Sequence, residues 1–297
     1  MRLEDREESE NVEDRRGLGG PATAAIGGGG LLILVVALLL GVDPRQIQQL
    51  VGNAQQQQQQ QQQGPQQGGG GPPARPVDPE EEKQAHFTRV ILRDTEDIWT
   101  DLFSRAGKVY QKPVLVLFSG AVESACGQAD SAVGPFYCPG DSRVYIDLGF
   151  YADMQRKLQA PGDFARAYVV AHEVGHHVQR LLGYTRLVEE ARRSGNKAEA
   201  NRMSVRLELQ ADYFAGVWAY HGQKKFQFLD DGDIDSALNA AFQIGDDRLQ
   251  KKGQGYVVPD AFTHGTSKQR MRWFGQGFKT GDVAAARQAF DLEYDRL

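Results

Sequence analysis

Residues 167–183 read AYVVAHEVGHHVQRLLG. Within them His172, Glu173 and His176 form the pattern H-E-x-x-H. On a helix, positions i and i+4 share a face. Both imidazoles can therefore reach one zinc ion, at bonds of about 2.0–2.1 Å each. Glu173 follows the first histidine directly, where a general base can take a proton from zinc-activated water. Tyr168, Val169, Val170, Val174, Val178, Leu181 and Leu182 give the segment apolar faces, and Gly183 is a natural C-cap. The helix is predicted over about Asp163 to Leu182. Gly175 inside it costs roughly 1 kcal/mol against alanine, which marks a place where something approaches the backbone. A helix with solvent-facing histidines is the competing reading, and the apolar neighbours oppose it.

A catalytic zinc needs a third protein ligand and an open fourth position. The longer pattern that ends in a third histidine fails, because Gln179 and Leu182 stand at its glycine and histidine places. In RLELQADYFAGVWAY, residues 206–220, Glu208 and Asp212 lie i, i+4 beside an apolar stripe of Leu207, Ala211, Phe214 and Trp218. Carboxylates bordering a buried stripe need a positive or metal partner. Glu208 as ligand and Asp212 as acceptor for a ligand histidine would satisfy both. A solvated acidic face is the alternative. His177 turns about 100° away from His176 and reads as a surface or packing residue. His86 and His221 have no comparable context. His264, in AFTHGTSKQRMRWF, precedes a helix predicted to start at Ser267. It can donate to the oxyanion of peptide hydrolysis or simply hold a loop.

Cys126 and Cys138 are the two cysteines, and neither has a C-x-x-C partner. A disulfide closing CGQADSAVGPFYC in an oxidising compartment, or two buried free thiols, fits the spacing. Residues 1–16 are rich in charge and poor in apolar side chains, which predicts disorder. From Gly17 to Val42 there is no charge, and the centre reads LLILVVALLLGV. With the preceding Ala-Ile-Gly residues it approaches the ~20 residues that cross a bilayer. A cleaved signal peptide would have a short basic leader; this leader is long and acidic. Arg15 and Arg16 before the apolar stretch, against Arg45 after it, orient the N-terminus to the cytoplasm. Residues 55–63 are all glutamine, followed by GPQQGGGGPPARPVDP, the composition of a flexible tether.

A long helix is predicted from Asp78 as N-cap with Pro79 in the first turn. Pro113–Ser119 and Arg143–Leu148 read as short strands. Helices near Lys197–His221, Asp233–Lys251, Ser267–Gly277 and Asp282–Leu292 follow. Strands first and helices after them point to an α+β domain. Net charge is −5 with scattered basic residues, so no basic face for nucleic acid is expected.

HEVGHH, ELQADYFAG and FTHGTSKQRMRWF, preceded by CGQADSAVGPFYCPGDSRVYIDLGFY, resemble the bacterial family of putative neutral zinc metallopeptidases. The resemblance covers residues 78 to 297 and leaves out the acidic leader and the glutamine tract. More distantly, HExxH followed by E-x-x-x-D is similar to the gluzincins. The resemblance implies zinc ligands His172, His176 and Glu208, base Glu173, and Asp212 bonded behind a ligand. It also implies a strand near Val144 to Ile146 that pairs with a substrate backbone.

The expected fold is α+β, a mainly helical zincin-like metallopeptidase domain with a small β-sheet, preceded by one transmembrane helix. The expected divisions are a disordered cytoplasmic tail (1–21), an anchor (22–42), a linker (43–77) and the peptidase domain (78–297). The expected protein is a single-pass membrane peptidase with one Zn2+ ion, catalytic residues Glu173 and His264, and an extracytoplasmic catalytic domain. Its partners would be a peptide or protein substrate and the membrane, without nucleic acid. The rivals are a zinc hydrolase of a non-protein amide and a catalytically idle, zinc-stabilised envelope protein.

Overall fold

Asp78 caps the first long helix in the computed structural model, which describes residues 1–3, 6–16, 78–130 and 133–297. Its side chain accepts from the Glu80 N–H, and Pro79 and three glutamates fill the first turn. Negative charge there suits the positive end of the helix. This helix, α1 (Pro79–Arg105), buries Phe87, Ile91, Ile98, Trp99 and Phe103. The wall it packs on includes Phe214, whose ring meets Trp99 edge-on with centroids 5.5 Å apart. Each such buried side chain contributes about 1.5–3 kcal/mol.

The sheet has four strands in the order β1 (Val12–Asp14), β2 (Val114–Phe118), β6 (Arg143–Asp147), β5 (Phe136–Cys138). β1 and β6 both run parallel to β2, and β5 is antiparallel to β6. A separate hairpin joins β3 (Ala121–Ser124) to β4 (Gly127–Asp130). β2 and β6 are the two predicted strands. β6 is internal, with Val144 opposite both Leu115 and Tyr137. At Val144 and Tyr145 both hydrogen-bonding edges are taken, so the expectation that a substrate strand pairs there is overturned. The edge on that side of the sheet is β5.

The N-terminal residues are not a disordered tail. Met1–Arg16 and Val77–Leu297 form one compact unit. The leader's charges are matched by those of α1: Arg6 pairs with Asp94, Arg16 with Glu82, and Asp14 with Arg89. Ser9 Oγ and Asn11 Nδ2 donate to the buried Glu96 at 2.7 and 2.8 Å. Met1, Leu3 and Val12 pack against the main core. Charge density predicts disorder only when no complementary surface exists, and here the first half of α1 supplies one.

The same pairing corrects the topology. One membrane crossing between residues 16 and 77 would place β1 and β2 on opposite sides of a bilayer, yet they share a ladder. Among the described residues no helix is long and apolar enough to cross a membrane. The expected anchor at 22–42 and linker at 43–77 lie outside the described residues. The single-pass arrangement with an extracytoplasmic catalytic domain is therefore withdrawn.

After β6 come α2 (Gly149–Arg156), α3 (Asp163–Leu182), α4 (Thr185–Arg193), α5 (Lys197–Phe226), α6 (Asp233–Gln243), α7 (Asp246–Gln254), α8 (Ser267–Thr280) and α9 (Gln288–Asp291). α3 has the predicted bounds. The single helix predicted over Asp233–Lys251 is two, broken at Gly245, the N-cap of α7. A Cβ there would lie 2.3 Å from Ser267 N. The segment predicted as a helix from Asp282 is a 3-10 turn at Ala284–Arg287 and then α9. Thr266 and Gln269 form a capping box that starts α8.

Candidate metal centre

α3 and α5 carry the centre and touch backbone to backbone. A Cβ at Gly175 would sit 3.0 Å from Ala211 O and 3.2 Å from its Cα, so a larger residue would push the helices apart by a few tenths of an ångström. Ala211 lies between Glu208 and Asp212, and the contact brings both carboxylates against the α3 histidines. His172 Nε2 lies 3.2 Å from Glu208 Oε2, and His176 Nε2 lies 3.4 Å from Glu208 Oε1. One ligand atom from each of the three residues falls within 4.8 Å of the others. Two ligands on a tetrahedral zinc stand about 3.3 Å apart, so the donor set and its spacing fit that ion.

The other ring nitrogens are held from behind. His172 Nδ1 is 2.9 Å from Asp212 Oδ1, as the sequence suggested. His176 Nδ1 donates to Gln179 Oε1 at 2.8 Å, and Gln179 Nε2 donates to Leu207 O at 2.6 Å. Gln179 is fully buried and ties the second histidine to the residue before Glu208. Bonds of this kind fix the tautomer and leave each Nε2 free to ligate.

Sequence reasoning missed Gln179 as the partner of His176, and it missed two further residues of this network. Arg270, on α8, grips Asp212 through Nε–Oδ2 at 2.8 Å and Nη2–Oδ1 at 2.9 Å. Its Nη2 is 3.4 Å from both nitrogens of His172, so the guanidinium lies across that ring. Tyr168 donates its hydroxyl proton to Asp212 Oδ1 at 2.5 Å. Both left signals in the sequence. Tyr168 is one turn before His172 on the same face, and Arg270 is a cation on the helix face that carries Trp273 and Phe274. α8 reaches in this far because Gly277 has no side chain; a Cβ there would overlap Tyr213 O at 2.0 Å.

The charges are strongly coupled. Burial works to lower the pKa of His172, but Asp212 and Glu208 outweigh it and raise it to about 9. Burial works to raise the Glu208 carboxyl; His176, His172 and His264 outweigh it and hold it well below the usual carboxylate range. Asp212 is likewise lowered, with Arg270 and His172 overcoming burial. Glu173 is 8% exposed and has no hydrogen-bond or ion-pair partner among the described residues.

His264 stands outside the three-residue cluster and is half exposed. Asp246 holds it: Oδ2 accepts from the N–H groups of Thr263, His264 and Gly265 at 2.6, 2.6 and 3.2 Å, and Oδ1 lies 3.1 Å from the ring Nδ1. That hydrogen bond, opposed by burial and assisted by the charge of Glu208, raises the His264 pKa. His177 is a packing residue. Its Nε2–H donates to Gln111 O at 2.5 Å, its Nδ1 accepts from Tyr137 at 3.0 Å, and burial lowers its pKa to about 4. His221 bonds Gly281 O, and His86 meets Glu8. Cys126 and Cys138 form a disulfide, Cα atoms 5.8 Å apart, that pins β5 to the hairpin, within the range such bridges adopt.

The family model described as putative neutral zinc metallopeptidase matches residues 1–289. The match takes in the N-terminal residues that the sequence reading had left outside the shared pattern. The chain is 49% identical over 285 residues to the uncharacterized protein YpfJ of Escherichia coli, covering 96% of this chain and 97% of that one. It is 44% identical over 183 residues to the uncharacterized protein Rv2575 of Mycobacterium tuberculosis, covering 58% of this chain and 61% of that one. No solved structure matches.

Proposed function

The chain belongs to the putative neutral zinc metallopeptidase family, and on that premise we propose that it hydrolyses peptide bonds with one zinc ion held by His172, His176 and Glu208. The observation that carries this reading is the convergence of those three donors within 4.8 Å, with Glu173, which has no partner among the described residues, one residue past the first. When bound, zinc supplies Lewis acidity, polarising a carbonyl and making water a stronger acid. Glu173 takes the proton from the attacking water and delivers it to the leaving amine. Asp212 and Gln179 keep the Nδ1 protons of His172 and His176 in place, so each Nε2 presents its lone pair. Arg270 and Tyr168 keep Asp212 ionised in its buried position. His264 donates to the oxygen that becomes negative as water attacks.

Glu173→Gln separates this reading from an idle, zinc-stabilised protein. The change keeps size and removes the proton acceptor. Zinc content, measured by atomic absorption, should stay near that of the parent while cleavage of unfolded casein disappears. Loss of zinc together with activity would make Glu173 a ligand or a structural residue and sink the assignment.

A further inference from the structure

One turn past His176, the face of α3 that carries the metal ligands runs into a pocket of about 660 Å³, a volume usual for ligand sites. Arg180 of α3 and Arg186 of α4 line it, brought together by the turn at Gly183. The opposite wall is Pro139 and Gly140, which directly follow the edge strand β5 and the disulfide-bonded Cys138. Both arginines are exposed, and neither has an ion-pair partner among the described residues. Most arginines elsewhere on the chain are paired; Arg193, one turn beyond the pocket, meets Glu189 at 3.8 Å. Glu189 is the one acidic residue that lines the pocket, so two guanidiniums face a single carboxylate.

We propose that this pocket binds a carboxylate of the peptide substrate, through Arg180 and Arg186, and so sets which bond is cut. The inference rests on the peptidase reading given above. Guanidinium groups suit a carboxylate because their N–H donors match its two oxygens. Position limits which carboxylate it can be. Arg180 lies roughly 6 Å along the helix from His176, and an extended peptide advances about 3.3–3.6 Å per residue. The bound group therefore belongs to a residue within about two positions of the scissile bond. It is either the C-terminal carboxylate of the substrate or an Asp or Glu side chain. Arg180 also lies next to Tyr137 of β5, so the same guanidinium borders the sheet edge along which an extended chain could run.

The test uses the zinc-loaded full chain and one alanine-rich octapeptide made in several forms. One form has a free C-terminus and one is amidated. The rest are amidated with a single Glu, or a matching Gln, at each position in turn. The expected result is a kcat/KM preference of about tenfold or more for one carboxylate form over its neutral counterpart. A free-terminus preference identifies the C-terminal carboxylate, and a Glu-over-Gln preference at one position identifies a side chain. In R180Q/R186Q that preference should vanish while cleavage of the neutral form is unchanged; Arg180→Lys should keep part of it. Equal cleavage of all forms, or a preference that survives in the double variant, overturns the proposal and leaves the peptidase reading intact. If the parent cleaves no form, the peptidase reading fails, and fluorescence anisotropy of the labelled peptides then decides the pocket. Tighter binding of a carboxylate form by the parent than by the double variant sustains it; equal binding overturns it.

Discussion

Arg270 meets Asp212 with two parallel hydrogen bonds, Nε to Oδ2 at 2.8 Å and Nη2 to Oδ1 at 2.9 Å, and the two side chains are 3% and 0% exposed. Breaking one partner of such a pair leaves a buried charge, at a cost of about 3–5 kcal/mol. Arg270→Gln is therefore expected to lower the melting temperature sharply. It should also weaken zinc binding by about 10- to 100-fold, because Asp212 no longer holds His172 in one orientation. Unchanged thermal melting and zinc affinity would show that the guanidinium is dispensable.

Gln179 offers a milder test of the same principle. Gln179→Leu keeps the volume and removes the acceptor for His176 Nδ1. Zinc affinity, measured by competition with a chelator, should fall about 10- to 100-fold, with the fold retained. Equal affinity in parent and variant would mean that His176 needs no partner behind it.

The raised pKa of His172, about 9 in the metal-free protein, makes zinc binding compete with a proton. Affinity should rise about tenfold per pH unit between pH 7 and 9 and then level off. The shift also stabilises the metal-free fold. That contribution is fully present below the unfolded histidine value of about 6.5 and is lost as pH climbs through about 9. A zinc affinity that stays flat over this window contradicts the coupling.

His264 should act as a donor only while protonated. His264→Ala is expected to lower kcat by about 10²–10³ with zinc content preserved. The hydrogen bond from the ring Nδ1–H to Asp246 is the first cause of its raised pKa. Asp246→Asn keeps one acceptor oxygen but loses the charge, so the alkaline limb of the activity profile should move to lower pH. If the limb stays where it was, His264 is a loop residue.

Removing residues 1–16 takes Ser9 and Asn11 from Glu96, which is completely buried and keeps only Lys112, at 3.2 Å. It also strips Arg6 from Asp94. A chain beginning at Gly17 should lose about 3–5 kcal/mol in urea unfolding, and added peptide 1–16 should restore part of it. An unchanged unfolding midpoint would refute a role for β1 in stability.

The candidate metal centre was largely legible because its parts obey short-range rules. His172 and His176 share a face by spacing alone, and Glu208 and Asp212 repeat that spacing beside an apolar stripe. α3 could be bounded because Gly183 ends it with a left-handed cap. Arg270 was not legible as a partner, since a bond spanning 58 residues leaves no periodic trace. β1 was hidden for another reason: the charges that stabilise it in place look, in isolation, like those of a solvated tail. The internal position of β6 depended on β5, a strand of three residues whose partners lie across a turn.

The bond between α8 and α5 also orders events in time. A growing chain acquires both histidines, Glu173 and Glu208 well before it acquires Arg270. Through that interval Asp212 has no guanidinium beside it, and His172 is held on one side only. The centre would therefore mature late in synthesis, after most of the polypeptide has been made. A fragment released at Thr266 would contain every proposed ligand and the proposed base, yet should retain little zinc. For the proposed peptidase, this delay would separate the making of the chain from the onset of its chemistry.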